Sequence, residues 1–105
     1  MKVYLKKLKK GVNASGEYNQ VTNQLTVLKN SKVSSDIAYS NTFRGAKSIE
    51  KWRKDIINNK NVLIRDITFK SPSTAGNFVT GRSTNGWDAW TDENGKSLKE
   101  LFKNE

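Results

Sequence analysis

The sequence predicts one α+β domain, in which an N-terminal antiparallel β-hairpin or sheet packs with one longer amphipathic helix and two short helices. Its 105 residues match the length of a single domain, so residues 1–105 are taken as one unit. Apolar residues alternate with polar ones near the start of the chain and recur every three to four residues later. Three Trp, three Tyr and four Phe supply the core anchors that a disordered chain lacks.

The N-terminal third reads as strands. Residues 2–8 are either a strand or part of a frayed basic lead-in that covers residues 1–9, because lysines surround the few apolar positions. Residues 12–18 alternate apolar and polar side chains, and residues 24–28 resume that alternation after a polar loop of about five residues. We therefore expect an antiparallel hairpin here.

The middle of the chain changes from an irregular connection to a helix. Residues 29–45 are rich in Ser, Asn and Lys and predict a long irregular connection, with Ile37, Tyr39 and Phe43 as its anchors. Residues 46–58 then predict a helix of about three turns. The apolar face of that helix consists of Ile49, Trp52, Ile56 and Ile57. Residues 62–69 carry enough β-branched and aromatic residues for a further strand.

A short helix should begin at Ser71. The hydroxyl of Ser71 can cap a backbone N–H, and Pro72 at the first helical position loses no hydrogen bond. Gly81 stands where a left-handed C-terminal cap is expected, so the helix spans two to three turns.

Two turns and a last helix follow. Asn85 and Gly86 tolerate positive φ and predict a tight turn that places Trp87 and Trp90 close together. Another Asn-Gly pair ends the turn over residues 91–95. Ser97 should cap the final short helix, and residues 103–105 should form a disordered tail.

Composition limits the classes of function. The chain has no cysteine and no histidine, which excludes disulfides, Cys/His zinc sites and histidine-based catalysis. No phosphate-binding glycine motif and no convincing carboxylate cluster occurs, so we expect no enzyme activity, no cofactor and no metal. No apolar run reaches signal-peptide or membrane-spanning length, and we expect a cytoplasmic protein with no membrane partner.

The formal net charge of +9 favours an anionic partner: nucleic acid, a membrane surface or an acidic protein. Hydroxyls at the start of the Ser71 helix can bind a phosphate, polar groups near its end can donate to DNA, and exposed indoles can stack on a base. Lysines in the basic groups 6–10 and 44–54 can contact the phosphate backbone. The candidate nucleic-acid-binding residues are Ser71, Ser73, Thr74, Arg82, Ser83, Asn85, Trp87, Trp90, Lys47 and Lys51.

A purely structural interpretation of the same residues stays open. Ser71 and Asn85 then only stabilise local structure, and the two tryptophans are either a stacking surface or core residues.

The ordered motifs resemble a known family. The chain contains S-P-S-T-A-G, F-V-T-G-R-S, N-G-W-D-A-W and N-G-K-S-L-K-E-L in that order, after G-V-N-A-S-G-E-Y and L-T-V-L-K-N-S-K-V. Together these resemble the small domain of unknown function found C-terminal to GIY-YIG endonucleases and in restriction–modification proteins. That domain is similar in turn to the RAMA (restriction enzyme adenine methylase associated) domain.

The resemblance implies a DNA context, and its RAMA relatives imply recognition of modified DNA. We therefore expect a non-enzymatic DNA-binding module that recognises modified or distorted DNA in a nuclease or restriction–modification context. The alternative is a protein-interaction module that tethers a nuclease or methyltransferase through the same basic and aromatic surface.

Overall fold

The computed structural model describes residues 1–38 and 45–102. The predicted anchors Tyr39 and Phe43, Arg44 of the second basic group, and the predicted tail over residues 103–105 lie outside the described residues. The strands are β1 (Lys2–Lys7), β2 (Val12–Tyr18), β3 (Leu25–Val27) and β4 (Ile67–Phe69); the helices are α1 (Ala46–Arg53), α2 (Pro72–Thr80), α3 (Gly86–Ala89) and α4 (Leu98–Phe102).

The strands form one antiparallel sheet in the order β1-β2-β3-β4, which confirms the predicted α+β class. β1 pairs with β2 along its whole length, so the strand alternative is correct for residues 2–7 and the frayed alternative is wrong. The hairpin of β2 and β3 has the predicted position. Beyond the sheet, the described residues hold four α-helices, one more than the three predicted, and a short 3₁₀ helix at Leu8–Lys10.

The core lies between one face of the sheet and α2. Alternation puts Val3 and Leu5 of β1 on that face at 0% and 1% exposure. α2 covers the face with three apolar side chains, and the C-terminal segments add two more. The fully buried members of this layer from α2 onward are Ala75, Phe78, Val79, Trp90 and Leu98.

α1 is shorter than the sequence predicts. It ends at Arg53 after eight residues, one fewer than α2, although the apolar periodicity continues to Ile57. Ile56 is buried in the core, and Ile57 pairs with Leu63 in an isolated β-bridge. Pairing with the following segment therefore takes these residues out of the helix, which periodicity alone does not reveal.

The segments before and after α1 are irregular but partly built into the fold. Lys32 forms β-bridges with both Asn13 and Val62, and the neighbouring Val33 is 1% exposed. Only residues 67–69 of the predicted strand over 62–69 belong to the sheet. The predicted long connection thus contributes to the core within the described residues.

The two ends of α2 confirm the predicted caps. Ser71 Oγ accepts the backbone N–H of Thr74 at 3.2 Å, and Pro72 occupies the first turn. Gly81 takes the left-handed conformation (φ 76°) and donates its N–H to Asn77 O at 2.8 Å. A side chain at Gly81 would also collide with Asp36 O, 2.2 Å from an added Cβ.

The predicted tight turn at Asn85 and Gly86 is wrong. Asn85 has φ −81° and caps α3, and Gly86 is the first residue of that helix. Glycine is required there because an added Cβ would lie 2.2 Å from the carbonyl carbon of Pro72. The close approach of α3 to the start of α2 explains the glycine; a positive φ does not.

The C-terminal turn and helix follow the prediction. Gly95 has φ 84°, as its turn requires. Ser97 Oγ accepts the N–H of Glu100 at 3.2 Å, and Glu100 Oε1 accepts the N–H of Ser97 at 3.3 Å. This reciprocal capping box begins α4.

Candidate nucleic-acid interface

The hydroxyls at the start of α2 are engaged inside the protein. Ser71 Oγ accepts from Thr74 N and lies 3.0 Å from Thr74 Oγ1. Ser73 Oγ accepts the backbone N–H of Gly86 at 3.0 Å. The three predicted phosphate-binding hydroxyls therefore fix the start of α2 and its contact with α3.

Trp90 is a core residue, which corrects its assignment as a nucleic-acid contact. Its side chain is 0% exposed, and Nε1 donates to Pro72 O at 3.0 Å. A base cannot stack on a ring that has no exposed face. Trp90 instead ties the segment after α3 to the first residue of α2.

Trp87 and Asn85 also make internal contacts. The Trp87 ring is partly buried and meets Tyr18 edge to face, with 6.0 Å between ring centroids. Asn85 is exposed, but its Oδ1 accepts the N–H of Trp87 at 3.1 Å and its Nδ2 donates to Asp88 Oδ2 at 2.9 Å. Both residues stabilise α3 and leave little free for a ligand.

Arg82 and Ser83 lie at the far end of α2. Arg82 Nη2 is 3.7 Å from Asp36 Oδ2 in a half-exposed ion pair, and Ser83 is exposed. α2 has nine residues, so about 13 Å of helix separates this end from Ser71. The residues predicted as one site therefore occupy two separate places.

Lysines line one side of α1. Lys47, Lys51 and Lys54 are exposed and spaced four and three residues apart, which puts them on one helical face. We call them the α1 lysine row. None of the three makes an ion pair with another described residue. They border an open groove of about 770 Å³, together with Ile37, Ile57 and Glu50, the single acidic residue among the described lining.

Arg53 anchors the helix that carries the row. It is 6% exposed, and its Nη1 donates to Ser34 O at 2.9 Å while its Nη2 donates to Phe78 O at 2.7 Å. The guanidinium also lies 5.7 Å from the centroid of the Phe78 ring. Sequence pattern does not predict this role, because exposed charged residues lie on either side of Arg53 in the chain.

A second groove lies on another side of α1. The helical periodicity does not predict it, because that periodicity places Trp52 on a buried helix face. Trp52 is partly exposed and meets Phe69 edge to face at 5.1 Å between centroids. The groove measures about 470 Å³ between α1, β4 and α2. We call it the Trp52 groove; its described lining residues are Gly45, Ser48, Ile49, Trp52, Ile67, Thr68, Phe69, Lys70, Thr74 and Asn77.

No cluster of three or more Asp, Glu, Cys or His side chains that could hold a metal ion occurs among residues 1–38 and 45–102. Burial raises the pKa of Tyr18, whose hydroxyl donates to Asn23 Oδ1 at 2.8 Å.

No helix within residues 1–38 and 45–102 is both long and apolar enough to span a bilayer.

One comparison with known proteins gives a match. The family model described as a domain of unknown function, DUF4357, covers residues 3–102. No curated protein and no solved structure matches the chain significantly.

Proposed function

Since the chain belongs to the DUF4357 family over residues 3–102, and that family has no assigned function, we propose a function from the surface of the molecule itself. The proposed function is a non-enzymatic DNA-binding module that holds the phosphate backbone with the α1 lysine row.

The observation that carries this proposal is the α1 lysine row. Three exposed ammonium groups share one face of a helix, make no ion pair with described residues and border an open groove. Lysines arranged this way neutralise phosphates without reading sequence. Arg53 is buried and donates to Ser34 O and Phe78 O, which anchors the helix that carries the row to the rest of the domain.

Two further points support DNA as the partner. The net charge of +9 favours a polyanion, and the row concentrates part of that charge. The resemblance to the domain that accompanies GIY-YIG endonucleases and restriction–modification proteins supports a nuclease or restriction–modification context. Recognition of modified or distorted DNA, implied by the RAMA-like relatives, belongs to the same proposal.

The proposal is tested by the salt dependence of DNA binding. If six phosphates are neutralised, log K falls against log salt with a slope of about −5. In the double variant Lys47→Gln/Lys51→Gln, we expect the slope to become shallower by about 2 units. The stability of the variant should change by less than about 0.5 kcal/mol per residue, because both side chains are exposed.

A matched control removes the same charge elsewhere. Lys96 and Lys99 are exposed on the turn and helix near residue 100, and neither is among the described residues that border the α1 groove. Lys96→Gln/Lys99→Gln should leave the slope nearly unchanged. If both double variants made the salt slope shallower by the same amount, the α1 lysine row would be refuted as the contact. A flat salt dependence of the unaltered protein would refute DNA binding.

A protein-interaction module that tethers a nuclease or methyltransferase is the second candidate. The observation that favours it is the edge strand β4, which pairs with only one strand among the described residues. This places the proposed protein contact at the sheet edge and not on the basic and aromatic surface expected from the sequence. An open strand edge can accept a strand from a partner protein. Calorimetric titration with a candidate nuclease or methyltransferase subunit tests it: this function requires a complex whose affinity is unaffected by Lys47→Gln/Lys51→Gln.

A further inference from the structure

We infer that the Trp52 groove binds a single unpaired nucleotide, with the base against the Trp52 indole and the phosphate near Lys70. The inference rests on the proposed DNA binding and names the feature of DNA that the domain selects. It moves the stacking role from Trp87 and Trp90 to Trp52.

The size and walls of the groove fit a flat aromatic ligand. Its volume of about 470 Å³ lies within the range of small-ligand pockets. Trp52 is partly exposed, and its edge-to-face contact with Phe69 holds the indole in place. Ile49 and Ile67 extend the apolar lining. A preset aromatic surface of this kind favours stacking by an unpaired base.

The groove also offers hydrogen-bond donors that the protein does not use. Asn77 Oδ1 accepts the N–H of Thr84 at 2.8 Å, which leaves the Asn77 amide hydrogens for another acceptor. The Ser48 hydroxyl likewise makes no hydrogen bond to a described residue. Unused donors beside an aromatic ring match the carbonyl acceptors on the edge of thymine or guanine.

The charge of the groove selects an anion. Lys70 is exposed, makes no ion pair with a described residue, and is the single charged residue among the described lining. The described lining contains no acidic side chain to repel a phosphate. A ligand with a flat, acceptor-rich part and one negative charge is a nucleotide, whereas a peptide strand would need a matching set of donors and acceptors.

The groove and the α1 lysine row lie on the same short helix. Ser48 follows Lys47 and Trp52 follows Lys51, so the two surfaces are on adjoining faces of α1. A DNA strand held by the lysines can therefore place one extruded base in the Trp52 groove. A paired base cannot enter, since it remains inside the duplex.

Two DNA probes test this inference on the full chain: a fully paired duplex, and the same duplex with one unpaired thymine. We expect the duplex with the unpaired thymine to bind about tenfold tighter than the paired duplex. This factor lies in the lower part of the range expected when one base stacks on an aromatic side chain. The indole N–H signals in ¹⁵N spectra supply a second readout. The Trp52 signal should shift when the duplex with the unpaired thymine binds, but not when the fully paired duplex binds. The Trp90 signal should stay fixed with both, because that indole is buried against Pro72.

Variants separate the groove from the lysine row. Trp52→Leu should abolish the preference for the duplex with the unpaired thymine and leave the salt slope with the paired duplex unchanged. The Trp90 indole signal reports whether this variant has folded. Lys70→Gln, at an exposed position, should lower the preference about threefold through loss of one phosphate contact. Lys99→Gln, which removes an equal charge outside the groove, should leave the preference intact.

Each outcome distinguishes the two levels of the proposal. Equal affinity for both duplexes with an unmoved Trp52 signal overturns the groove inference and leaves DNA binding standing. No binding of either duplex at low salt overturns the proposed function itself. A Trp52 signal that shifts with an acidic peptide but with neither duplex assigns the groove to a protein partner and also overturns the inference.

Discussion

The start of α2 and the surface of α1 use their polar side chains in opposite ways. At the start of α2, the side chains of Ser71, Ser73 and Thr74 all contact other parts of the protein. On α1, the side chains of the lysines and of Ser48 make no hydrogen bond or ion pair with a described residue. The polar groups at the start of α2 therefore stabilise the fold, whereas those on the surface of α1 are available to bind a ligand.

The difference shows that a conspicuous motif is not by itself a binding site. The S-P-S-T run and the N-G-W segment meet each other: Gly86 packs on Pro72, and the Trp90 indole donates to the carbonyl of the same proline. Their residue types are those of helix caps and close contacts. Groups that are free to bind a ligand belong instead to an inconspicuous charged helix.

Gly86→Ala should be the most destabilising substitution at the contact between α3 and the start of α2. An added Cβ would lie 2.2 Å from the Pro72 carbonyl carbon and 2.3 Å from Ser73 N, both of them backbone atoms. Because backbone cannot yield as a flexible side chain does, we expect a loss of more than about 3 kcal/mol in the free energy of unfolding. Urea denaturation measures it.

Gly95→Ala is the control for that substitution. Gly95 has φ 84° but no heavy atom within 4 Å of an added Cβ, so only the backbone strain of about 1 kcal/mol remains. Similar losses at both glycines would contradict the close contact between α3 and α2.

The two tryptophans give the next largest effect. Trp90→Phe replaces a buried indole with a smaller ring and removes the N–H that donates to Pro72 O at 3.0 Å, so we expect a loss of about 2–3 kcal/mol in the free energy of unfolding. Trp87→Phe, at a partly buried site, should cost about 1 kcal/mol. Thermal unfolding of the two variants compares them, and the reverse order would place Trp90 outside the core.

The cap at Ser71 gives a smaller effect. Ser71→Ala removes the acceptor for Thr74 N, and we expect a loss of about 1 kcal/mol in stability. Ser83→Ala, at an exposed position beyond the other end of α2, should change stability by less than about 0.5 kcal/mol. DNA affinity at constant salt should be the same in both variants; a specific loss in Ser71→Ala would return a ligand role to the α2 start.

Tyr18 gives the smallest effect, visible only at high pH. Burial raises its pKa, because the folded protein stabilises the neutral phenol relative to the phenolate. This contribution is fully present below the tyrosine pKa of about 10 in the unfolded chain and is lost as pH rises through the higher pKa of the folded protein. Tyr18→Phe should therefore flatten the alkaline fall in stability measured by denaturation, and an unchanged fall would exclude Tyr18 as its cause.

Local rules predicted much of the fold. Alternation placed β2 and β3, and the capping residues Ser71, Gly81 and Ser97 marked real helix ends. These features depend on neighbours in the sequence, so a short window contains the information. The same rules failed for the end of α1, where a β-bridge between Ile57 and Leu63 overrides the helical periodicity.

The surface could not be predicted in the same way. The exposure of Trp52 and Trp90 depends on which elements cover them: Trp90 is enclosed between the sheet and α2, whereas Trp52 borders a groove. The buried role of Arg53 depends on Ser34 and Phe78, which are 19 and 25 residues away in the chain. Contacts between residues so far apart in the chain leave no pattern in local spacing. Only the folded structure therefore shows which candidate residues are exposed and which are buried.

The bridge between Tyr4 and Thr91 determines when the domain can be completed during synthesis. Their backbones exchange hydrogen bonds of 2.7 and 2.9 Å across 87 residues, and Leu98 N then donates to Trp90 O. A nascent chain that ends before this point can form the β2–β3 hairpin but cannot close the outer edge of β1. We therefore expect final folding to wait until the segment through Leu98 has left the ribosome, because a contact of such long range forms only when both partners are present.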